Sequence, residues 1–170
     1  WEDEGVTLNA IPSPVSADGV VFVTSGFRGN RLAAIDLAQA RGDIAGTDAV
    51  RWSVDRDTPY VPSPVVHDGL LYLLKSNSGI LSSFDTDTGA RYYGPERLPG
   101  IRSVYASLVV ADDRLYVTSR EGTTVVLRTG PVLEILATNT LDDQFDASPA
   151  VVGGELYLRG ARALYCIAAD

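Results

Sequence analysis

Methionine is absent from all 170 residues, position 1 included, and the chain opens on Trp1. Such a start predicts a processed product or a piece of something longer, with any signal peptide or lipid anchor lying in the missing part. The single cysteine, Cys166, excludes an intrachain disulfide and a cysteine-built zinc site. The single histidine, His67, is the one side chain whose unperturbed pKa lies near neutrality. No apolar run approaches the ~20 residues of a membrane-spanning helix. Basic residues are outnumbered, 14 Lys and Arg against 22 Asp and Glu, for a net charge of −8. That balance disfavours nucleic acid as a partner. Gly-x-Ser-x-Gly, His-Glu-x-x-His and phosphate-loop patterns are also missing.

What is present is a repeat. Four ten-residue segments superimpose without gaps: Ser13 to Phe22, Ser63 to Tyr72, Ser107 to Tyr116 and Ser148 to Tyr157. Their serines are 50, 44 and 41 residues apart, and each segment closes on an aromatic. Within each, Ser-Pro-Val-Val or a close variant reads as a first strand, where Pro at the start need not donate to the ladder. Asp18-Gly19, Asp68-Gly69, Asp112-Asp113 and Gly153-Gly154 follow as tight hairpin turns, because these residues accept positive φ. Leu-Tyr or Val-Phe then begins a second strand. Third strands are expected at residues 32–35, 80–84, 124–127 and 163–167. Fourth strands are expected near 50–54, 91–93 and 132–136. The best helical stretch, Leu37 to Arg41, is too short to nucleate alone. Four strands in a repeat of ~45 residues is the pattern of a β-propeller blade.

The unit Ser-Pro-Val-Val-x-Asp-Gly-x-Leu-Tyr, then Phe84-Asp85-x-x-Thr88-Gly89 and a distal aromatic, resembles the PQQ-like β-propeller repeat. More narrowly it is similar to the BamB-like bacterial propellers, related to the lipoprotein of outer-membrane β-barrel assembly. The resemblance implies an all-β fold in a single domain over 1–170. It implies four antiparallel blades, at approximately 13–54, 63–93, 107–136 and 148–170, from a ring of about eight. The last blade lacks its fourth strand. Trp1, Trp52 and Tyr93 take the place of the family's docking aromatic, which pins one blade on the next. The pattern departs at an insertion from Ala38 to Asp48, and at Arg128, where Asp is usual. An open arc with bare faces and edges at both ends is the resulting expectation.

Function in a propeller lives in its connecting loops. The longer connections supply the candidate binding residues Asp55, Arg56, Asp57, Tyr60, Arg102, Tyr105, Asp143, Phe145 and Asp146. Aromatics mixed with both charge signs suit a polar or peptide ligand. The sequence therefore favours a non-catalytic scaffold that presents this loop face to a protein or peptide. The alternative is the C-terminal part of a PQQ- and calcium-dependent quinoprotein dehydrogenase. Against it, the vicinal disulfide usual in that enzyme class cannot be built from one cysteine. No catalytic residue and no cofactor are expected. Asp85-x-Asp87-x-Gly89 with Glu96 reads as a turn rather than a calcium loop. His67 occupies a turn column filled elsewhere by Ala17, Ala111 and Val152, which marks it as incidental and predicts no metal site. The resemblance also implies an exported, periplasmic or envelope-associated protein, with further N-terminal blades in the parent chain.

Overall fold

The computed structural model describes residues 1–168, so the last two positions of the fourth expected blade lie outside the described residues. Among the described residues the chain is all-β, and no helix there is long and apolar enough to cross a membrane. Fifteen strands among the described residues form four sheets in chain order. The first sheet is β1 (Val15–Ala17), β2 (Val20–Ser25), β3 (Arg31–Asp36) and β4 (Val50–Val54). The second is β5 (Val65–His67), β6 (Leu70–Leu74), β7 (Ile80–Asp85) and β8 (Arg91–Arg97). The third is β9 (Val109–Ala111), β10 (Arg114–Thr118), β11 (Thr123–Arg128) and β12 (Glu134–Thr140). The fourth has three strands, β13 (Ala150–Val152), β14 (Glu155–Arg159) and β15 (Leu164–Ile167). Every pairing between successive strands is antiparallel, as in propeller blades. β8 and β12 run four residues further than the sequence pattern suggests, to Arg97 and Thr140.

The repeated turns have one geometry. Both central residues take positive φ in all four: 50° and 76° at Asp18-Gly19, 46° and 72° at Asp68-Gly69, 46° and 55° at Asp112-Asp113, 58° and 85° at Gly153-Gly154. This is the type I′ arrangement, whose twist matches that of the flanking strands. The repeated serines have one role as well. The Ser13 N–H donates to Ser63 Oγ at 2.9 Å, the Ser63 N–H to Ser107 Oγ at 3.1 Å, and the Ser107 N–H to Ser148 Oγ at 2.9 Å. One backbone donor per blade is thus satisfied by the next blade's hydroxyl.

Between the first two sheets, Val20, Phe22, Leu32 and Ala34 pack on Leu71, Leu73 and Phe84. Between the second and third, Leu70, Tyr72, Leu74 and Leu81 pack on Leu115, Val117, Val125 and Leu127. These sets follow from strand alternation, which sends neighbouring residues of β6 to opposite faces of one sheet. The interface of the third and fourth sheets is more polar. It holds a bond between the Thr118 and Thr124 hydroxyls at 3.0 Å, beside a sheet of which Leu158 is the buried member.

The two ends of the arc differ, which corrects the expectation of bare faces at both. Residues 38–48 fold back over the free face of the first sheet, and Ala40, Ile44 and Ala49 bury Ala33 and Ile35 there. The Glu2 N–H donates to the Gly42 carbonyl at 2.8 Å and the Ile44 N–H to the Glu2 carbonyl at 3.0 Å, which ties the N-terminal segment to this cap. The far face of the fourth sheet has no such cover among the described residues. Leu164 is 69% exposed and Val152 63%.

Trp52 docks on the second sheet. Its Nε1–H donates to the Thr86 carbonyl at 3.0 Å, and its ring lies 5.8 Å from that of Phe22. A Cβ on Gly89 would stand 2.6 Å from the indole, and φ there is +70°. Asp85 shapes this turn by accepting from the Thr88 N–H and hydroxyl, each at 2.8 Å. Tyr93 packs into the core between the second and third sheets. Trp1, by contrast, is 55% exposed. Trp52→Ala should cost about 3 kcal/mol, within the range for truncating packed aromatics. Gly89→Ala should also destabilise, but by less when Trp52 is already Ala, since the clash is then gone. Urea unfolding of the two single variants and the double variant measures that coupling.

Candidate functional site

In this blade order the β2–β3 type of turn and the β4–β5 type of connection share one face. Each long connection there is threaded between the short turns of two adjacent blades. Between the third and fourth blades the loop at 141–149 is gripped from both sides. The Phe145 N–H donates to the Arg120 carbonyl at 3.3 Å, and the Ala161 N–H to the Gln144 carbonyl at 2.9 Å. A Cβ on Gly122 would stand 2.1 Å from the Leu141 carbonyl oxygen, and one on Gly160 would stand 2.2 Å from the Asp143 carboxylate. Both turns need glycine because another chain segment occupies that space.

Asp143 organises the groove. Its side chain is 1% exposed. It accepts from the Gln144 N–H at 2.8 Å, the Arg162 N–H at 3.0 Å, the Ala163 N–H at 3.3 Å and the Tyr165 hydroxyl at 3.1 Å. Burial pushes its carboxyl up, but these donors outweigh burial and hold it below the usual carboxylate range. Phe145 is buried beside it, with its ring 5.7 Å from that of Tyr165.

Over this frame lies an open groove of about 900 Å³. Arg120, Glu121, Asp142, Gln144 and Arg162 line it. The Arg120 guanidinium sits 4.1 Å from the centre of the Tyr105 ring and pairs with Asp146. Arg162 Nη2 lies 3.1 Å from Asp142 Oδ2. The groove therefore offers alternating charges held in place before any ligand arrives, with Tyr105 stacked against Arg120 at its edge.

The remaining candidates fall into neighbouring positions on the same face. Tyr60 stacks on Phe27 with centroids 4.8 Å apart, and Arg28 lies 5.3 Å from the Phe27 ring centre. Asn9 Nδ2 donates to the Tyr60 hydroxyl at 2.7 Å. Asp57 is largely covered and pairs with Lys75 at 2.8 Å. Asp55, Arg56 and Arg102 are exposed. Of the candidates, Asp143 lines the groove, Tyr105 and Asp146 meet at its edge through Arg120, and Phe145 packs beneath the loop, whereas Asp55, Arg56, Asp57 and Tyr60 lie at a separate blade junction. Asp143 and Phe145 shape the groove from beneath rather than touch what enters it. Thr140 and Gln144 line it as well, and sequence reasoning had not singled them out.

Residues 1–103 match the family described as outer membrane protein assembly factor BamB. The chain belongs to that family. No curated protein matches it. Among solved structures, the computationally designed Ika4 protein has a TM-score of 0.72 at 14% identity, covering 99% of this chain and 96% of that one. The computationally designed Ika8 protein has a TM-score of 0.65 at 12% identity, covering 92% of this chain and 45% of that one. BamB from Moraxella catarrhalis has a TM-score of 0.49 at 14% identity, covering 98% of this chain and 60% of that one. At such identities the likeness to the two designed proteins speaks to fold alone.

Because the folded Asp143 carboxyl titrates below its unfolded value, its contribution is fully present above about pH 4 and is lost as pH falls further. Asp36, held down by Arg51, and Asp85, held down by Thr88, act in the same direction. Thermal unfolding should therefore shift down below about pH 4. Asp143→Asn should lower the midpoint at pH 7 by about 5 °C and flatten that acid limb, since one amide cannot accept from every donor around it. Scanning calorimetry from pH 7 to pH 3 checks both outcomes.

Proposed function

We propose that this chain is a non-catalytic propeller scaffold of the BamB family, and that its loop face binds an extended peptide segment of a protein partner. The observation that carries this reading is the prebuilt groove between the third and fourth blades. Its loop is anchored at Asp143, its charged side chains Arg120 and Arg162 are already oriented by Asp146 and Asp142, and Tyr105 braces Arg120 by stacking against it. Side chains ordered in advance lose less freedom on binding. Aromatic and arginine residues are also the usual energetic anchors of protein interfaces. The paired state of these groups suits recognition by hydrogen bonds and stacking better than proton transfer. Family membership supports a location in the bacterial cell envelope and a protein partner, and we read both as belonging to this chain.

An array of immobilised ten-residue peptides, probed with the folded chain, tests the proposal. A subset of peptides should bind. Arg120→Ala and Tyr105→Ala should each weaken that binding roughly tenfold. Arg128→Ala, at the turn end of β11 on the opposite face, should leave it unchanged. Equal loss in all three variants, or binding by none of the peptides, overturns the reading. So does a saturable, calcium-dependent rise in the unfolding midpoint with PQQ, which would favour the quinoprotein alternative.

A further inference from the structure

The face opposite the groove carries the β1–β2 type of hairpin turn from every blade. At the junction of the second and third blades, two of these turns bring the chain's single imidazole together with two carboxylates. His67 Nε2 lies 3.0 Å from Asp113 Oδ1 and 3.6 Å from Asp68 Oδ2. The three potential ligand atoms all fall within 4.8 Å of one another. We propose that His67, Asp68 and Asp113 bind one borderline divalent cation of the zinc(II) class, and that the ion clamps the second blade to the third.

Three features carry the assignment. A tetrahedral ion with bonds of about 2.1 Å holds neighbouring ligand atoms roughly 3.4 Å apart, and the two distances from His67 Nε2 bracket that value. The donor set is one imidazole nitrogen with two carboxylates, which suits zinc and its neighbours, whereas calcium and magnesium take oxygen alone. The turn backbone also holds both aspartates at this blade junction, since Asp68 and Asp113 are central residues of type I′ turns at φ 46° and 55°. Both carboxylates are open to water, at 81% and 74% of their side-chain surface, which leaves a free coordination position and an entry path. Asp112, next in chain to Asp113, adds negative charge to the same turn. The site lies across the molecule from the groove and does not depend on what the groove binds.

The test uses the untagged 170-residue chain, stripped with chelator, with Cys166→Ser removing the one thiol that could compete. Zinc chloride is titrated by calorimetry, and the lone imidazole is followed by proton NMR. Saturation at one site should coincide with a shift of the His67 ring resonances. The unfolding midpoint should rise with free zinc. His67→Ala should abolish binding, and Asp113→Asn should weaken it roughly tenfold or more. Calcium over the same concentrations should leave the resonances unmoved. Should His67→Ala fail to fold, Asp113→Asn alone carries the comparison. Absence of saturation, zinc binding unaltered by the variants, or a preference for calcium each overturns the proposal.

Discussion

The hydrogen bond that passes from one blade to the next at the repeated serine holds this architecture in register. Each bond is worth about 1 kcal/mol net. Its larger importance is positional. The inner strand of a blade has one backbone N–H beyond its ladder, and the neighbouring Ser Oγ accepts it. Fixing that one distance fixes how far the sheets stand apart. The apolar faces of β2 and β6, or of β6 and β10, then meet at van der Waals separation. The long connections land on the adjacent short turns only when that spacing is right. The groove beside Tyr105 is therefore a product of the same regular step that brings the cores together.

Much of the fold is legible in the sequence because the repeat is built from residues with narrow conformational uses. Asp-Gly and Gly-Gly announce the tight turns, and the unbroken apolar run from Leu70 to Leu74 announces a strand buried on both faces. The outer strands read less well. β12 is mostly exposed, so Ala137 to Thr140 carry no alternation that would extend the strand past Leu136. The insertion reads as an interruption because Ala40, Ile44 and Ala49 have neither a period of two nor one of 3.6, although all three are buried. A cap of irregular backbone has no periodic signature to detect.

The site was legible only in outline. Loop position puts Tyr105 and Asp146 on one face, where each contacts Arg120, but it says nothing about depth. Asp143 and Phe145 sit inside the loop because their partners are backbone N–H groups and a ring from β15, contacts that no local pattern encodes. The meeting of His67 with Asp113 spans 46 residues and depends on the angle between two blades. Such pairings follow from the stacking of sheets, and residue spacing along the chain does not reveal them.

The cap over the first sheet also gives the arc a direction. A stack of similar sheets with two bare ends is a heterologous building block, since its tail fits its own head, and copies could add without limit. Here Ile44 and its neighbours occupy the head surface, while Leu164 and Val152 leave the tail surface open. Two copies of this chain that met through apolar surface would have to meet tail to tail, about a twofold axis. A contact of that kind would use both open faces at once, whereas the irregular insertion already closes the head surface to end-on stacking.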